Sequence, residues 1–421
     1  MKLVQTTFFS GIIALIRIAS GFVANKIVAI YTGTIGVALI GAFSNFLSIF
    51  LAFANGAINT GVVKYTAEYK DNDEELKSLF STAFKISLIC SAIVGLFLIS
   101  FASFFSDYIF LNSDYKNTIR VLGVSIILYS LNSLFISILN GKQEIKKYTI
   151  VNTAGSIIGL IFTLILVFYF KLIGAMYALV LSQSIVFFIS FTIIVKSDWF
   201  SMDYFNQKID YSIVKKLSHY SMMAIVTALL VPISQIVLRN MIISSLGMDA
   251  AGVWQGMMRI SDGYLMVLTT ALATYYLPKL ASLHTNEELR FEIFKGYKLI
   301  IPIVFTSCVV VYLLRFFIIK LLFTPDFIEM SNLFFFQLVG DFFKMASWIL
   351  AYLMLAKSMT KLYIVTEVLF AVIYVGLGFL CVKFFNITGL SIAFAITYFI
   401  YLLVMLCIFR NILFKKNNLL R

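Results

Sequence analysis

Long apolar runs dominate this sequence, and they decide what the chain can fold into. Of its 421 residues, 61% are hydrophobic and 13% are charged, whereas a soluble domain is about 45–50% apolar and about 25% charged. A soluble core of this size could not cover so much apolar surface. The composition therefore excludes a cytosolic enzyme, a secreted domain and a disordered chain, and it predicts a protein that is embedded in a lipid bilayer.

The apolar runs predict an all-α membrane protein with twelve transmembrane helices. A helix needs about 20 apolar residues to cross the hydrocarbon, and no stretch alternates polar and apolar residues as a membrane β-strand does. Arg17 interrupts the first run and no signal-cleavage pattern follows it, so this run is predicted to be a retained span. The predicted spans are 6–31, 36–63, 81–105, 118–140, 149–170, 173–195, 217–241, 251–278, 296–320, 330–356, 361–383 and 388–410.

Basic residues collect in alternate loops, and this predicts the orientation of the chain. The net charge is +13, which in a soluble protein would suggest nucleic acid; in a membrane protein it indicates cytoplasmic loops rich in Lys and Arg. With the amino terminus inside, the outer connections hold little beyond Lys116, Lys171, Lys320 and Lys383. We therefore expect both termini in the cytoplasm and no nucleic-acid partner.

The longest and most polar connection divides the chain into two sets of six spans. It predicts an amino-terminal lobe at 1–195, a cytoplasmic connection at 196–216, a carboxy-terminal lobe at 217–410 and a cytoplasmic tail at 411–421. Gly33 and the span that follows it resemble Gly247 and its span. Because each half has an even number of spans, an internal duplication would be of the parallel kind.

Charged side chains within the spans are the best guide to function, since each costs about 2.5–3.5 kcal/mol at the bilayer centre. Arg17 lies roughly 16 Å into the first span, and no acidic residue lies within any of the six predicted spans of its lobe. A guanidinium matches the oxygens of a phosphate group, so Arg17 is a candidate anion ligand. The alternative is a structural arginine bonded to carbonyls or to an acid of the other lobe.

The other intramembrane charges leave two interpretations open. Each could line a substrate cavity, or it could snorkel to the interface or be neutralised by a neighbour. The spacing of three residues puts Arg259 beside Asp262 and Asp341 beside Lys344 on one helix face. The candidate anion ligands are Arg17, Lys26, Arg239, Arg259 and Lys344, and the candidate coupling or charge-tuning acids are Asp262, Asp341 and Glu367.

Several classes of site have no support in the sequence. The four cysteines and two histidines show no metal-ligand spacing, so we expect neither a metal site nor a disulfide framework. The pattern of a nucleotide-binding P-loop is missing, and no loop is long enough for a catalytic domain. No cofactor is expected, and the chain is predicted to be a transporter and not an enzyme.

Several short motifs resemble those of the Wzx-type flippases, the family that includes O-antigen translocases and lipid III flippases. The resemblance covers nearly the whole chain. It is carried by Arg17–Gly21 with Lys26, Thr32–Val37, Gly61–Tyr65, Gly252–Gly256, Arg259–Leu265, Tyr276–Leu280 and Gln337–Lys344.

This family belongs to the multidrug/oligosaccharidyl-lipid/polysaccharide exporter superfamily. The resemblance implies two six-helix lobes that form a V around a central cavity. It also implies a flippase that moves an undecaprenyl-diphosphate-linked oligosaccharide, such as an O-antigen or common-antigen repeat unit, to the outer leaflet of the bacterial inner membrane. The implied partners are the lipid-linked oligosaccharide, membrane lipids and the polysaccharide polymerase and ligase machinery, and a monomer is expected to function.

The charges of the two lobes bear on the nearest alternative, a multidrug or small-solute antiporter of the same fold. Such an exporter would be expected to carry an acid within the spans of its first lobe, for cation coupling and for cationic substrates. This sequence has cations there and no acid. The pattern therefore favours an anionic substrate. Net export needs a source of energy, for which we expect a proton or sodium gradient, with removal of the flipped lipid as the alternative.

Overall fold

In a computed structural model, the chain is folded almost entirely into helices. The structure describes residues 2–110, 112–272, 276–283, 285–357 and 359–414, apart from the side chains of residues 2–12, 14, 219, 220, 223, 271 and 278. Most of the predicted tail, residues 415–421, lies outside this range. No strand occurs in the described residues.

Fifteen α-helices and three short 3₁₀ helices follow one another along the described chain. The 3₁₀ helices are Ser113–Tyr115, Met202–Tyr204 and Pro325–Asn332. The α-helices are α1 (Lys2–Ala54), α2 (Asn59–Glu68), α3 (Asp73–Ser100), α4 (Ala102–Phe110), α5 (Lys116–Gly141), α6 (Ile145–Val195), α7 (Tyr211–Leu246), α8 (Met248–Ala271), α9 (Leu277–Ser282), α10 (Asn286–Leu313), α11 (Arg315–Leu322), α12 (Phe334–Ala356), α13 (Thr360–Phe385), α14 (Thr388–Ile408) and α15 (Arg410–Leu413).

Nine helices of the described chain are long and apolar enough to cross a membrane, so the chain is a multi-pass membrane protein. Two of them, in α1 and α6, have 40 and 51 residues, or about 60 and 75 Å, which is twice the hydrocarbon thickness or more. Each contains one residue with a non-helical backbone, Gly33 in α1 and Lys171 in α6. If both helices cross twice and α8 crosses as well, twelve crossings result, and that number stays a prediction.

Turns with the same conformation recur about 214 residues apart. Gly33 and Gly247 both have a positive φ, of 63° and 93°, which glycine adopts without strain. Lys171 and Asn386 have φ values of 50° and 51°. These repeated turns support the internal duplication that the sequence suggests.

A glycine follows each of the second pair of turns by three residues. A Cβ atom on Gly174 would lie 1.9 Å from the carbonyl oxygen of Leu166, and one on Gly389 would lie 2.3 Å from that of Cys381. Residues eight apart in a straight helix are separated by about 12 Å. The chain therefore doubles back at Lys171 and Asn386, so tightly that no side chain larger than hydrogen fits.

Three predicted spans are interrupted in the structure. The predicted span 36–63 is broken between Ala54 and Asn59, and 81–105 and 296–320 run across the helix ends at Phe101 and Leu314. The last two boundaries were wrong because the short helices α4 and α11 continue the apolar pattern of the spans before them, and the first because backbone turns at residues 55–58 interrupt the run. Hydropathy does not distinguish such a helix from a spanning one.

The chain divides into two compact units, Met1–Gln235 and Ile236–Arg421. The boundary between them lies inside α7, next to Pro232. In the first unit a cluster of buried side chains joins α2, α3, α5 and α6, with Phe80, Leu134 and Ile138 at most 3% exposed. The predicted lobe boundaries and the V-shaped cavity stay predictions.

The polar connection between the predicted lobes is folded onto the first unit. Tyr204 is buried in the core cluster of that unit, and its hydroxyl group donates a hydrogen bond to Asp73. The indole nitrogen of Trp199 donates to Glu144 over 2.6 Å. The Nζ atom of Lys142 lies 4.7 Å from the centre of the Trp199 ring, a cation–π distance.

These contacts shift the proton affinities of the connection. Burial and the bond to Asp73 raise the pKa of Tyr204 to about 12. Hydrogen bonds from Ser212 lower the pKa of Asp210, whose carboxylate also accepts a hydrogen bond from Ser78 over 3.0 Å. The connection is therefore an integral part of the first unit, although its polar sequence resembles a flexible linker.

Candidate functional site

Arg17 lies on α1 and is exposed at the surface of the described structure. Its guanidinium interacts electrostatically with Tyr129 of α5, and among the described residues it forms no ion pair. The acidic residues of this unit lie at helix ends or in connections. Its positive charge is thus not neutralised by a carboxylate in the described part of the chain, and its role as an anion ligand stays a prediction.

Lys26 lies nine residues further along α1 and is half-buried. Nine residues correspond to two and a half helical turns, which places Lys26 and Arg17 on opposite sides of α1. The backbone between them is helical throughout. The structure therefore does not bring these two predicted cations together.

Asp341 is the most completely buried of the predicted site residues. It lies on α12 with no solvent exposure. The hydroxyl group of Ser261 lies 2.6 and 2.7 Å from its two oxygens, and the hydroxyl group of Tyr264 donates to Oδ2 over 2.7 Å. A buried carboxylate is tolerated only with such partners, so α8 and α12 are joined by a charge-assisted hydrogen-bond network.

Lys344 follows Asp341 by one helical turn and is surrounded by aromatic rings. Its Nζ atom lies 5.0 Å from the ring centre of Trp348 and 5.8 Å from those of Phe394 and Tyr398. It interacts electrostatically with Asp341, but the described residues include no ion pair between them. Ring faces stabilise the ammonium group without neutralising its charge.

Glu367 of α13 belongs to the same group of side chains. Its carboxylate accepts a hydrogen bond from the hydroxyl group of Tyr401 over 3.1 Å and interacts electrostatically with Lys344. Two acids and one lysine of the second unit therefore influence one another. We call Asp341, Lys344 and Glu367, with Ser261 and Tyr264, the polar core of the second unit.

The pair on α8 has a more open setting. Asp262 is exposed and Arg259 is half-buried. The two interact electrostatically but form no ion pair in the described structure. The Nε atom of Arg259 is buried and has no hydrogen-bond partner among the described residues, so this guanidinium has an unused donor.

Arg239 is in a different environment from the other predicted cations. Its residue is 1% exposed, and its Nη1 atom donates to Asn240 over 3.3 Å. A side chain so deeply enclosed cannot contact a ligand in this conformation. Arg239 is therefore the predicted anion ligand with the least geometric support.

Sequence reasoning missed the neutral partners of these charges. Ser261 and Tyr264 flank Asp262 in the quoted motif, yet nothing in their spacing indicates a bond to Asp341. The aromatic residues around Lys344 had a weak signal, since Trp348 follows it by four residues and Tyr398 follows Phe394 by four. Large aromatic residues at helical spacing are common in any membrane helix, so this signal was not specific.

No metal centre is indicated in the part of the chain that the structure describes, where His, Cys, Asp and Glu do not gather in threes. A crevice of about 500 Å³ lies beside the connection and is lined by Glu74, Ser78 and Gln207, with Lys208 and Asp210 nearby. It is distant in sequence from every predicted site residue.

Comparison with known proteins places this arrangement among transporters. The chain is 28% identical over 368 residues to the lipid III flippases of Escherichia coli K12 and Shigella flexneri, covering 87% of this chain and 88% of each relative. A multidrug resistance MATE family transporter of the MOP superfamily, solved in an inward-facing conformation, superposes with a TM-score of 0.79 at 15% identity over 95% of this chain and 98% of the other.

The structural match shows that this chain has the MATE fold, and the names of the relatives indicate a transporter and not an enzyme. The resemblance to lipid-linked oligosaccharide flippases that the motifs suggest is thereby confirmed. The model of one protein family matches residues 41–332, more than half of the chain. With that match, the chain belongs to the family of polysaccharide biosynthesis proteins.

Proposed function

We propose that this protein flips an undecaprenyl-diphosphate-linked oligosaccharide, an O-antigen or common-antigen repeat unit, from the inner to the outer leaflet of the bacterial inner membrane. The lipid III flippases, which align with 87% of the chain, support a lipid-linked sugar as substrate. The observation that carries the proposal is Arg17: an exposed intramembrane guanidinium in a unit whose acidic residues lie at helix ends or in connections.

Electrostatics explain why this pattern suits a diphosphate. A guanidinium binds two phosphate oxygens through parallel hydrogen bonds, and such bonds are strengthened where water is partly excluded. Lys26, Arg259 and Lys344 provide further positive charge along the chain, of which Lys344 is held by rings and not by a carboxylate. Arg239 would contribute only after a conformational change.

The proposed transport cycle uses alternating access. The cations bind the diphosphate, the sugar follows a hydrated path, and the polyprenyl tail stays in the lipid. A ligand by itself only shifts an equilibrium, so net export needs an ion gradient or removal of the product. Asp341 and Glu367 are the proposed coupling acids, because both lie near Lys344 and are linked to hydroxyl groups; Asp262 is the exposed third acid.

The second candidate function is a cation-coupled antiporter for drugs or small solutes. Its support is the fold, which is shared with multidrug transporters, and the buried carboxylate of Asp341. The two functions differ in the charge of the substrate. A cationic drug would be repelled by Arg17, and a diphosphate would be attracted.

The test is transport of a fluorescent lipid-diphosphate glycan by the purified chain in liposomes. Arg17→Ala should lower the rate at limiting substrate by about 10- to 100-fold, because a hydrogen bond to a charged group contributes about 1.5–3 kcal/mol. Arg17→Lys should retain part of the rate, since it keeps the charge and loses the fork. If the protein is instead an antiporter, neither the wild type nor Arg17→Ala would transport the glycan, and Arg17→Ala would take up cationic dyes faster than the wild type.

A matched control is Arg120→Ala. Arg120 is an exposed arginine near the start of α5 that donates a hydrogen bond to Asn117 over 3.3 Å. This variant removes the same charge from the same unit and should transport at the wild-type rate. If Arg17→Ala and Arg120→Ala behave alike, the assignment of Arg17 is wrong.

A further inference from the structure

The helix pair α1 and α2 is interrupted by a break at residues 55–58. The N–H groups of Gly56 and Ala57 donate to the carbonyls of Phe53 and Ala52, both over 2.9 Å, which closes the end of α1 in the manner of a Schellman motif. Ala57 has a φ of 52°, a conformation that residues other than glycine rarely adopt. The break is therefore closed by two backbone hydrogen bonds, although Ala57 has a backbone conformation that is unfavourable for alanine.

Two asparagine side chains converge on one serine at this break. The Nδ2 atoms of Asn59 and Asn55 lie 2.8 and 3.4 Å from the Oγ atom of Ser133 on α5. Asn55 is 5% exposed. The Oδ1 atoms of both asparagines are buried and have no hydrogen-bond partner among the described residues.

Turning the two amides over, so that the oxygen and nitrogen atoms exchange places, does not provide a donor for both Oδ1 atoms. A serine hydroxyl has a single hydrogen, so it can donate to only one of the two amide oxygens. At least one buried carbonyl oxygen remains without a donor in either arrangement. Buried oxygens of this kind are usually satisfied, so the break needs an additional group that interacts with oxygen atoms.

The carboxy-terminal end of α1 adds negative potential at the break. The carbonyl groups of its last turn carry the negative end of the helix dipole, and Ser130 reaches one of them, donating to the carbonyl of Ala54 over 3.1 Å. Carbonyl, amide and hydroxyl oxygens are ligands of hard cations, and interrupted helices of transporters coordinate Na⁺ in this way. The three side chains at the break are neutral, which suits a monovalent ion better than a divalent one.

We propose that the break between α1 and α2 is a sodium site, in which the amides of Asn55 and Asn59 are turned over so that their Oδ1 atoms join the Oγ atom of Ser133 as side-chain ligands. The bound ion would satisfy the amide oxygens and hold α2 against α5. Ser133 follows Tyr129 by one helical turn, and Tyr129 is the residue that interacts with Arg17. The site is separate from the polar core of the second unit and does not depend on the proposed substrate.

The test is thermal unfolding of the purified full-length chain in detergent, titrated with NaCl, KCl or choline chloride at constant ionic strength. A ligand that binds only the folded state raises the midpoint as its concentration exceeds the dissociation constant. We expect a saturable rise with Na⁺ that K⁺ and choline do not reproduce. Equilibrium binding of radioactive sodium gives a second measurement that does not depend on unfolding.

Variants then locate the site. Asn59→Ala and Ser133→Ala should weaken sodium binding at least about tenfold. Asn59→Asp should strengthen it, because it puts a negative charge beside the ion, and it remains informative if the alanine variants fold poorly. Asn152→Ala is the matched control: Asn152 is a half-buried amide of α6 that donates to the carbonyl of Tyr148 over 2.8 Å, and its loss should leave sodium binding unchanged.

Two results would overturn the proposal. If Na⁺, K⁺ and choline shift the midpoint equally, the amide oxygens are satisfied by a buried water molecule. If choline chloride stabilises the protein and choline gluconate does not, the break binds an anion at the start of α2. Loss of glycan transport in Arg17→Ala has no bearing on either measurement.

Discussion

The contribution of the polar core to the stability of the second unit can be tested by removing one oxygen atom, the hydroxyl oxygen of Tyr264. In Tyr264→Phe, Asp341 loses a donor at 2.7 Å while the ring and its packing stay. A hydrogen bond to a charged group contributes about 1.5–3 kcal/mol. For a unit of 150–250 residues, 1 kcal/mol corresponds to about 2–4 °C in the unfolding midpoint, so the expected decrease is about 3–12 °C.

The control is another buried tyrosine of the same unit. The hydroxyl group of Tyr374 is buried and interacts with the neutral indole of Trp254. A hydrogen bond between neutral groups contributes only about 0.5–1.5 kcal/mol, so Tyr374→Phe should lower the midpoint by less than Tyr264→Phe. Both midpoints are measured on purified protein in the same detergent. If Tyr264→Phe unfolds no earlier than Tyr374→Phe, the network around Asp341 does not stabilise the second unit.

Asp341→Asn separates stability from transport. Asparagine has the shape of the carboxyl group, but its single carbonyl oxygen can replace only part of the bonds from Ser261 and Tyr264. Its midpoint should fall by no more than that of Tyr264→Phe, because a neutral amide is less costly to bury than a carboxylate. It cannot exchange a proton, and it removes one of the two acids, Asp341 and Glu367, that interact with Lys344. Glycan transport driven by an ion gradient should therefore be lost, and transport at the wild-type rate would remove Asp341 from the coupling mechanism.

Two further predictions concern the first unit and the backbone. Gly174→Ala should lower the free energy of unfolding by about 1–3 kcal/mol, because its Cβ would lie 1.9 Å from the carbonyl oxygen of Leu166. Gly376 has open space around it, so Gly376→Ala should raise the free energy of unfolding by about 0.5–1 kcal/mol. The opposite order of the two variants in chemical denaturation would disprove the tight turn. The pKa of Tyr204 is raised to about 12 from an ordinary value of about 10, so the stability that Tyr204 contributes should be constant below about pH 10 and decline between about pH 10 and 12. In ultraviolet titration of tyrosinate, Tyr204→Phe should show one tyrosine fewer titrating near pH 12 than the wild type.

The class of fold could be predicted from the sequence because the hydropathy of a helix depends on whether lipid or water surrounds it. It predicted helices that cross a membrane, and it placed Arg17 and Asp341 within them. It misplaced the ends at Phe101 and Leu314, where apolar residues continue through a change of direction. Helix direction is decided by backbone conformation and by close contacts such as those of Gly174, and neither has a hydropathy signal.

The candidate site could be predicted only in its charged members. A charge in a membrane helix is conspicuous because it is costly, so Lys344 and Glu367 were evident from their positions. Their partners are ordinary residues: Tyr401 is one of 22 tyrosines and Phe394 one of 43 phenylalanines. Contacts between residues distant in sequence, such as Ser261 with Asp341, follow from tertiary packing and from no local pattern.

The repeated turns bear on how the charged groups of the two halves came to differ. A duplicated backbone whose turns have kept the same spacing in both halves would be expected to contain two equivalent ligand sites. The halves instead differ in charge: the predicted spans of the first contain Arg17 and Lys26 and no acid, whereas Asp341 and Glu367 of the second both interact with Lys344. If both halves descend from one ancestral half, its architecture has been kept in each while the charged groups have diverged, and exchanging charges between equivalent positions would test whether that divergence can be reversed.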